Sequence, residues 1–194
     1  YQWHNYGKTT IGARTDVEQV KIENLQSFYR TYYQPDNATL IVTGKFDEAK
    51  TLARIEQTFG AIPKPTRVLP HLYTLDPPQD GPREVTINRV GDSYLMGTLY
   101  HTPSGAHPDS VYIELLAFVL GDTPTGRLHH ALVDKKKVAG ISADPMALHD
   151  PGFLAFFANL NKTQSVAEAR KILVDVVEGV KKNPITEAEL KRAK

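Results

Sequence analysis

The sequence contains no cysteine. That absence removes disulfides, thiolate nucleophiles and cysteine-ligated zinc together, and leaves the redox compartment open. No stretch approaches the roughly 18 apolar residues of a membrane span. The opening Tyr1-Gln2-Trp3-His4 lacks the charged and apolar regions of a signal peptide. Charge of one sign is not in excess: 23 Lys and Arg stand against 22 Asp and Glu, a net charge of +1. The one basic cluster, Lys135-Lys136-Lys137, has no aromatic residue interleaved, so no nucleic-acid partner is expected.

Catalytic signatures are missing as well. A zinc peptidase sets two imidazoles one helical turn apart with a glutamate beside them to activate the metal-bound water. Neither H-E-x-x-H nor H-x-x-E-H occurs, and none of the seven histidines has a Glu within three positions. His129 and His130 are adjacent, which on an α-helix points them about 100° apart and prevents shared chelation. G-x-S-x-G is absent, which excludes the common α/β-hydrolase nucleophile. Gly121 to Gly126 has the glycines of a phosphate loop, but Arg127-Leu128 stands where Lys-Ser/Thr is needed. No catalytic, cofactor-binding or metal-binding residue is assigned in this chain.

What is present is the grammar of an α+β protein. Leu25, Phe28, Tyr29 and Tyr32 follow the i, i+3, i+4, i+7 spacing of one helix face over Ile22 to Tyr33, and Pro35-Asp36-Asn37 stops that helix. Ala38 to Thr43 is a short apolar, β-branched run ended by Gly44, expected to be a buried strand. Asp47 is the N-cap candidate of the next helix, whose stripe is Leu52, Ile55 and Phe59. Pro63, Pro65, Pro70, Pro77, Pro78 and Pro82 then exclude a helix or central strand and give a stiff linker.

Beyond it, Arg83 to Arg89 and Ser93 to His101 read as neighbouring strands joined at Gly91-Asp92. Pro108 to Leu120 is a helix with Tyr112, Leu115, Leu116 and Val119 inward, and Leu128, Ala131 and Leu132 mark a short one that ends in the three lysines. Ala139 to Leu148 and Phe153 to Leu160 form a hairpin about Asp150-Pro151-Gly152, and Pro145 implies that the first strand is bulged or lies at an edge. Of Phe156 and Phe157, one ring faces the core and the other covers a helix. Ser165 with Glu168 and Thr186 with Glu189 are capping boxes opening two further helices.

The run Leu25-Gln26-Ser27-Phe28-Tyr29-Arg30-Thr31-Tyr32-Tyr33-Gln34-Pro35-Asp36-Asn37-Ala38, followed by Val42-Thr43-Gly44, resembles the pitrilysin/insulinase family of zinc metallopeptidases, which includes the mitochondrial processing peptidases. The likeness continues through Phe59-Gly60-Ala61-Ile62-Pro63, Gly126-Arg127-Leu128, Asp150-Pro151-Gly152 and Thr186-Glu187-Ala188-Glu189-Leu190. Tyr6-Gly7 and Ile11-Gly12 look like the family segment that follows the metal site.

The resemblance implies an α+β fold of two successive units, each an antiparallel sheet with helices packed on one side. It makes 1–62 the C-terminal part of a first α/β domain, 63–82 a Pro-rich linker, and 83–194 most of a second domain, truncated at its C-terminal end. It implies a non-catalytic segment of a zinc metalloendopeptidase, lining part of the substrate chamber, with zinc bound upstream and no cofactor in the segment itself. Implied partners are a peptide or unfolded polypeptide substrate and the second half or subunit of a clamshell. The alternative is a non-catalytic core subunit or peptide-binding partner of a peptidase heterodimer. The bacterial periplasm or envelope is the compartment it favours. The family's substrate-gripping R-G-L-A-Y reads here Lys137-Val138-Ala139-Gly140-Ile141, so that role is not carried over.

Overall fold

The computed structural model describes all residues, Tyr1–Lys194, and divides into two units, Tyr1–Val85 and Thr86–Lys194.

The first unit holds three short helices, α1 (Arg14–Gln19), α2 (Ile22–Tyr32) and α3 (Glu48–Thr58). Helix α2 ends where the sequence placed its stop, at a single turn of 3-10 helix over Pro35–Asn37. Asp47 caps α3 by accepting a hydrogen bond from the Lys50 amide at 3.0 Å. None of the residues 1–85 is buried.

Ala38 to Thr43 does not form a strand, and Ile41 is 77% exposed. The expectation fails because a strand is defined by hydrogen bonds to a neighbour, and the chain's one sheet is made of three other segments. Its composition asks for burial, but composition supplies no partner. Arg83 to Arg89 is likewise irregular, with Val85 and Ile87 exposed.

The second unit contains one antiparallel sheet in the order β1-β3-β2, from β1 (Ser93–His101), β2 (Gly140–Met146) and β3 (Phe153–Asn161). Strands β2 and β3 are the expected hairpin, and Pro145 does lie on an edge strand, opposite Leu154. Helices α4 (Ser110–Gly121) and α5 (Val166–Gly179) supply the second layer, and α6 (Glu187–Ala193) follows. The fold class is therefore α+β, an open antiparallel sheet with helices on one side.

Period two sends Met96, Leu154, Phe156, Ala158 and Leu160 to the helix side, where they meet Leu120, Leu128, Leu132, Ala169 and Leu173 in one core. In α4 the buried residues are Ala117, Val119 and Leu120, while Tyr112 points outward. This helix is apolar almost all round, so periodicity could not choose its face.

The segment expected as a short α-helix at Leu128 is a π-turn, His129–Val133, closed by the Asp134 amide on the His129 carbonyl at 3.1 Å. Leu128 and Leu132, four positions apart, both lie in the core.

Candidate functional site

The sheet of the second unit has one face without helices. Register places Leu95 beside Asn159 and Gly140, Gly97 beside Phe157 and Ser142, Leu99 beside Ala155 and Asp144, and His101 beside Phe153 and Met146. Leu95 is 70% exposed and Leu99 is 56% exposed. Phe157 does not cover a helix; its ring lies over Gly97, where a Cβ would come within 3.0 Å of the ring edge. Only Phe156 enters the core, fully buried.

The two sheet edges differ. Strand β2 carries Asp144 and Pro145, a charge and a missing donor, both of which discourage another strand from adding. Strand β1, Ser-Tyr-Leu-Met-Gly-Thr-Leu-Tyr-His, has neither charge nor proline in nine residues. An edge of that composition suits addition of an extended polypeptide through backbone hydrogen bonds, which are indifferent to sequence.

The stretch that stands where the family carries its substrate-gripping motif packs instead. Lys137 pairs with Glu168 at 2.6 Å in the first turn of α5. Val138 is in the core, and Ile141 packs against it. Neither is disposed to contact substrate on the open face.

The π-turn adds a fifth-residue neighbour, His129, to the i, i+4 pair of His130 and Asp134. His130 Nδ1 lies 2.7 Å from one oxygen of Asp134, and His129 Nε2 lies 3.4 Å from the other. The hydrogen bond from His130, with the charge of His129, holds the Asp134 carboxyl below its usual range. This feature was missed because sequence alone gave no reason to choose a π-turn. The arrangement is two imidazoles on one carboxylate, and no group of three His, Asp or Glu side chains in the chain is placed to hold a metal ion. The residues here do not fit a zinc site.

A clamp closes the end of the unit. Arg127 donates Nε and Nη2 to the two carboxylate oxygens of Glu189, each at 2.7 Å, and also reaches the Asn183 and Pro184 carbonyls. Both residues fall in motifs quoted for the family resemblance, Gly126-Arg127-Leu128 and Thr186 to Leu190. The geometry gives them a structural task.

The sequence model of the peptidase M16 inactive domain matches residues 19–194. The chain belongs to that family. The peptidase M16 family is the pitrilysin/insulinase family that the motif order resembles. Over its whole length the chain is 30% identical to the zinc protease PqqE of Helicobacter pylori and spans 44% of that protein. The crystal structure of a protease from Helicobacter pylori superposes on all of the chain with a TM-score of 0.92 and 28% identity, the chain covering 48% of it. A peptidase M16 inactive domain from Pseudomonas fluorescens shares the fold, with a TM-score of 0.83 at 19% identity over 98% of this chain and 46% of its own. The chain thus spans about half the length of the M16 relatives it matches.

Proposed function

We propose that this chain is a non-catalytic segment of a zinc metalloendopeptidase and forms part of the wall of its substrate chamber. The observation that carries the reading is the bare face of the second unit's sheet, apolar at Leu95 and Leu99 and bordered by an uncharged edge strand. Such a surface receives unfolded polypeptide by backbone pairing and apolar contact.

In this reading the zinc and its H-x-x-E-H motif are supplied by residues upstream. Residues 1–62 are the end of a first α/β domain, and 83–194 are most of a second. The uncovered apolar residues of the first unit, Leu25, Phe28, Ile41 and Val42 among them, face the remainder of that first domain. The parent is placed in the bacterial periplasm or envelope, which cell fractionation tests.

The deciding experiment measures hydrolysis of a fluorogenic peptide by the full-length protein carrying Leu95→Glu and Leu99→Glu. A charge on the bare face is expected to cut kcat/KM about tenfold, the equivalent of ~1.4 kcal/mol. Thermal unfolding and zinc content stay unchanged. Unaltered kcat/KM in the double variant excludes the chamber wall. Absence of H-x-x-E-H upstream excludes the zinc enzyme and favours the second reading, a peptide-binding core subunit of a heterodimer.

A further inference from the structure

Antiparallel pairing divides the backbone of β1 by parity. The Thr102 amide donates to the Gly152 carbonyl at 3.0 Å, one step beyond His101 opposite Phe153. Hydrogen-bonded pairs alternate along an antiparallel ladder, so Met96, Thr98 and Tyr100 direct their amides and carbonyls at β3. Those of Leu95, Gly97 and Leu99 point away from it, and no hydrogen bond from elsewhere in the chain reaches them. Side chains follow the same parity: Met96 enters the core, while Leu95 and Leu99 stand on the bare face. A residue of an added antiparallel strand that bonds to Gly97 therefore sets its own side chain on the bare face as well, directly opposite Gly97.

At that position β1 offers no side chain of its own. The half-buried Phe157 ring leans across it from β3: a Cβ on Gly97 would lie 3.0 and 3.1 Å from the ring atoms Cε1 and Cδ1, and 3.8 Å from the Leu99 Cδ1. An aromatic ring laid over a cross-strand glycine shields the backbone beneath it and carries its own edge toward the next strand position. A side chain opposite Gly97 on an added strand meets that ring edge and the Leu99 methyl directly. Charge narrows the occupant further. Neither β1 nor β3 has an Asp, Glu, Lys or Arg in its nine residues, so a charged side chain seated here would lose water without gaining a partner. An aromatic side chain gains both buried area and a ring contact.

Resting on the chamber-wall reading above, the geometry points to Gly97 as a specificity-determining residue: it lets the Phe157 ring reach the free edge of β1, which takes an extended, uncharged substrate segment, antiparallel to β1, with an aromatic residue opposite Gly97. The backbone of Leu95, Gly97 and Leu99 supplies hydrogen bonds that ignore sequence. Selection comes from the one place in that row where the wall's contact surface belongs to a ring on the neighbouring strand.

The test uses the full-length protein and a set of uncharged fluorogenic peptides of Ala, Ser and Thr in which a single Phe is walked along the chain. Phe at one position is expected to lower KM about tenfold relative to Ala there. Phe at either adjacent position should bring no gain, because those side chains point to the helix side. N-methylation of the favoured Phe should raise KM by at least about tenfold, and N-methylation of either neighbour far less, since a neighbour's amide points away from β1. Gly97→Ala, whose methyl displaces the ring, and Phe157→Ala should each reduce the preference for Phe to about twofold or less. Thr98→Ser, on the helix side, should retain it. Thermal unfolding checks that each variant is folded. An undiminished preference in folded Gly97→Ala overturns the assignment, as does a greater loss from N-methylating a neighbour than from N-methylating the Phe. Where either result appears while Leu95→Glu with Leu99→Glu still cuts kcat/KM, the subsite at Gly97 falls alone. Where the Leu95 and Leu99 double variant leaves kcat/KM unaltered, the chamber wall and the subsite fall together.

Discussion

Arg127 grips Glu189 through two parallel hydrogen bonds of 2.7 Å, joining the entry to the π-turn with the first turn of α6. Glu189 is also the third residue of a capping box with Thr186, so one carboxylate both starts a helix and docks it. Removing the guanidinium leaves a mostly covered carboxylate with only its local partners. Arg127→Ala is expected to destabilise the second unit by about 2 kcal/mol, measured by urea unfolding. Arg127→Lys recovers only part of this, because an ammonium lacks the planar fork.

The same pair sets an acid limit. The bond from Arg127 draws the Glu189 carboxyl from its ordinary 4.5 down to about 2. A carboxyl depressed on folding stabilises the protein above its unfolded pKa and loses that contribution as pH falls through the folded value. Stability of the second unit should therefore decline between about pH 4.5 and 2. Glu189→Gln should flatten that slope while lowering stability at neutral pH, as read by unfolding across the acid range.

Gly121 closes α4 against β2. A Cβ there would lie 2.2 Å from the Ala143 Cβ and 2.9 Å from its amide nitrogen. Backbone cannot yield as a long side chain can, so Gly121→Ala is expected to cost about 1–3 kcal/mol as an overpacking change. Thermal unfolding of the variant checks this.

Phe156 is fully buried at the centre of the core. Phe156→Ala should cost about 3–5 kcal/mol, enough to unfold a marginal domain. Phe157→Ala, one residue on and on the bare face, should cost far less. Parallel urea titrations of the two variants separate the faces of β3.

Burial is confined to the second unit, with every core residue between Met96 and Leu173. Stability follows buried apolar area, so residues 86–194 should unfold in a cooperative transition. Residues 1–85 alone should melt without one and bind a hydrophobic dye. Calorimetry and dye fluorescence on the two pieces test this.

Much of the fold was legible because its signals are local. Helix α2 has its apolar face and its proline stop, α3 has Asp47, α5 and α6 have Ser165 and Thr186, and the β2–β3 hairpin has Asp150-Pro151-Gly152. The family was legible for the same reason, since its motifs are caps, turns and strand ends in a fixed order. The bare sheet face was not, because alternation in β1 and β3 shows two faces without saying which one the helices cover.

The sequence by itself determined where α2, α3, α5 and α6 begin, though not α1, and that one hairpin would form, because caps, prolines and turns act within a few residues of themselves. Only the tertiary structure decided what depends on a distant neighbour. It left Ala38 to Thr43 unpaired, turned Phe156 inward and Phe157 outward, and wound His129–Val133 into a π-turn that sets two imidazoles on Asp134. It also gave Glu189 to Arg127, 62 residues away. Strand pairing, choice of face and ion-pair partners are relations between segments, and no single segment encodes them.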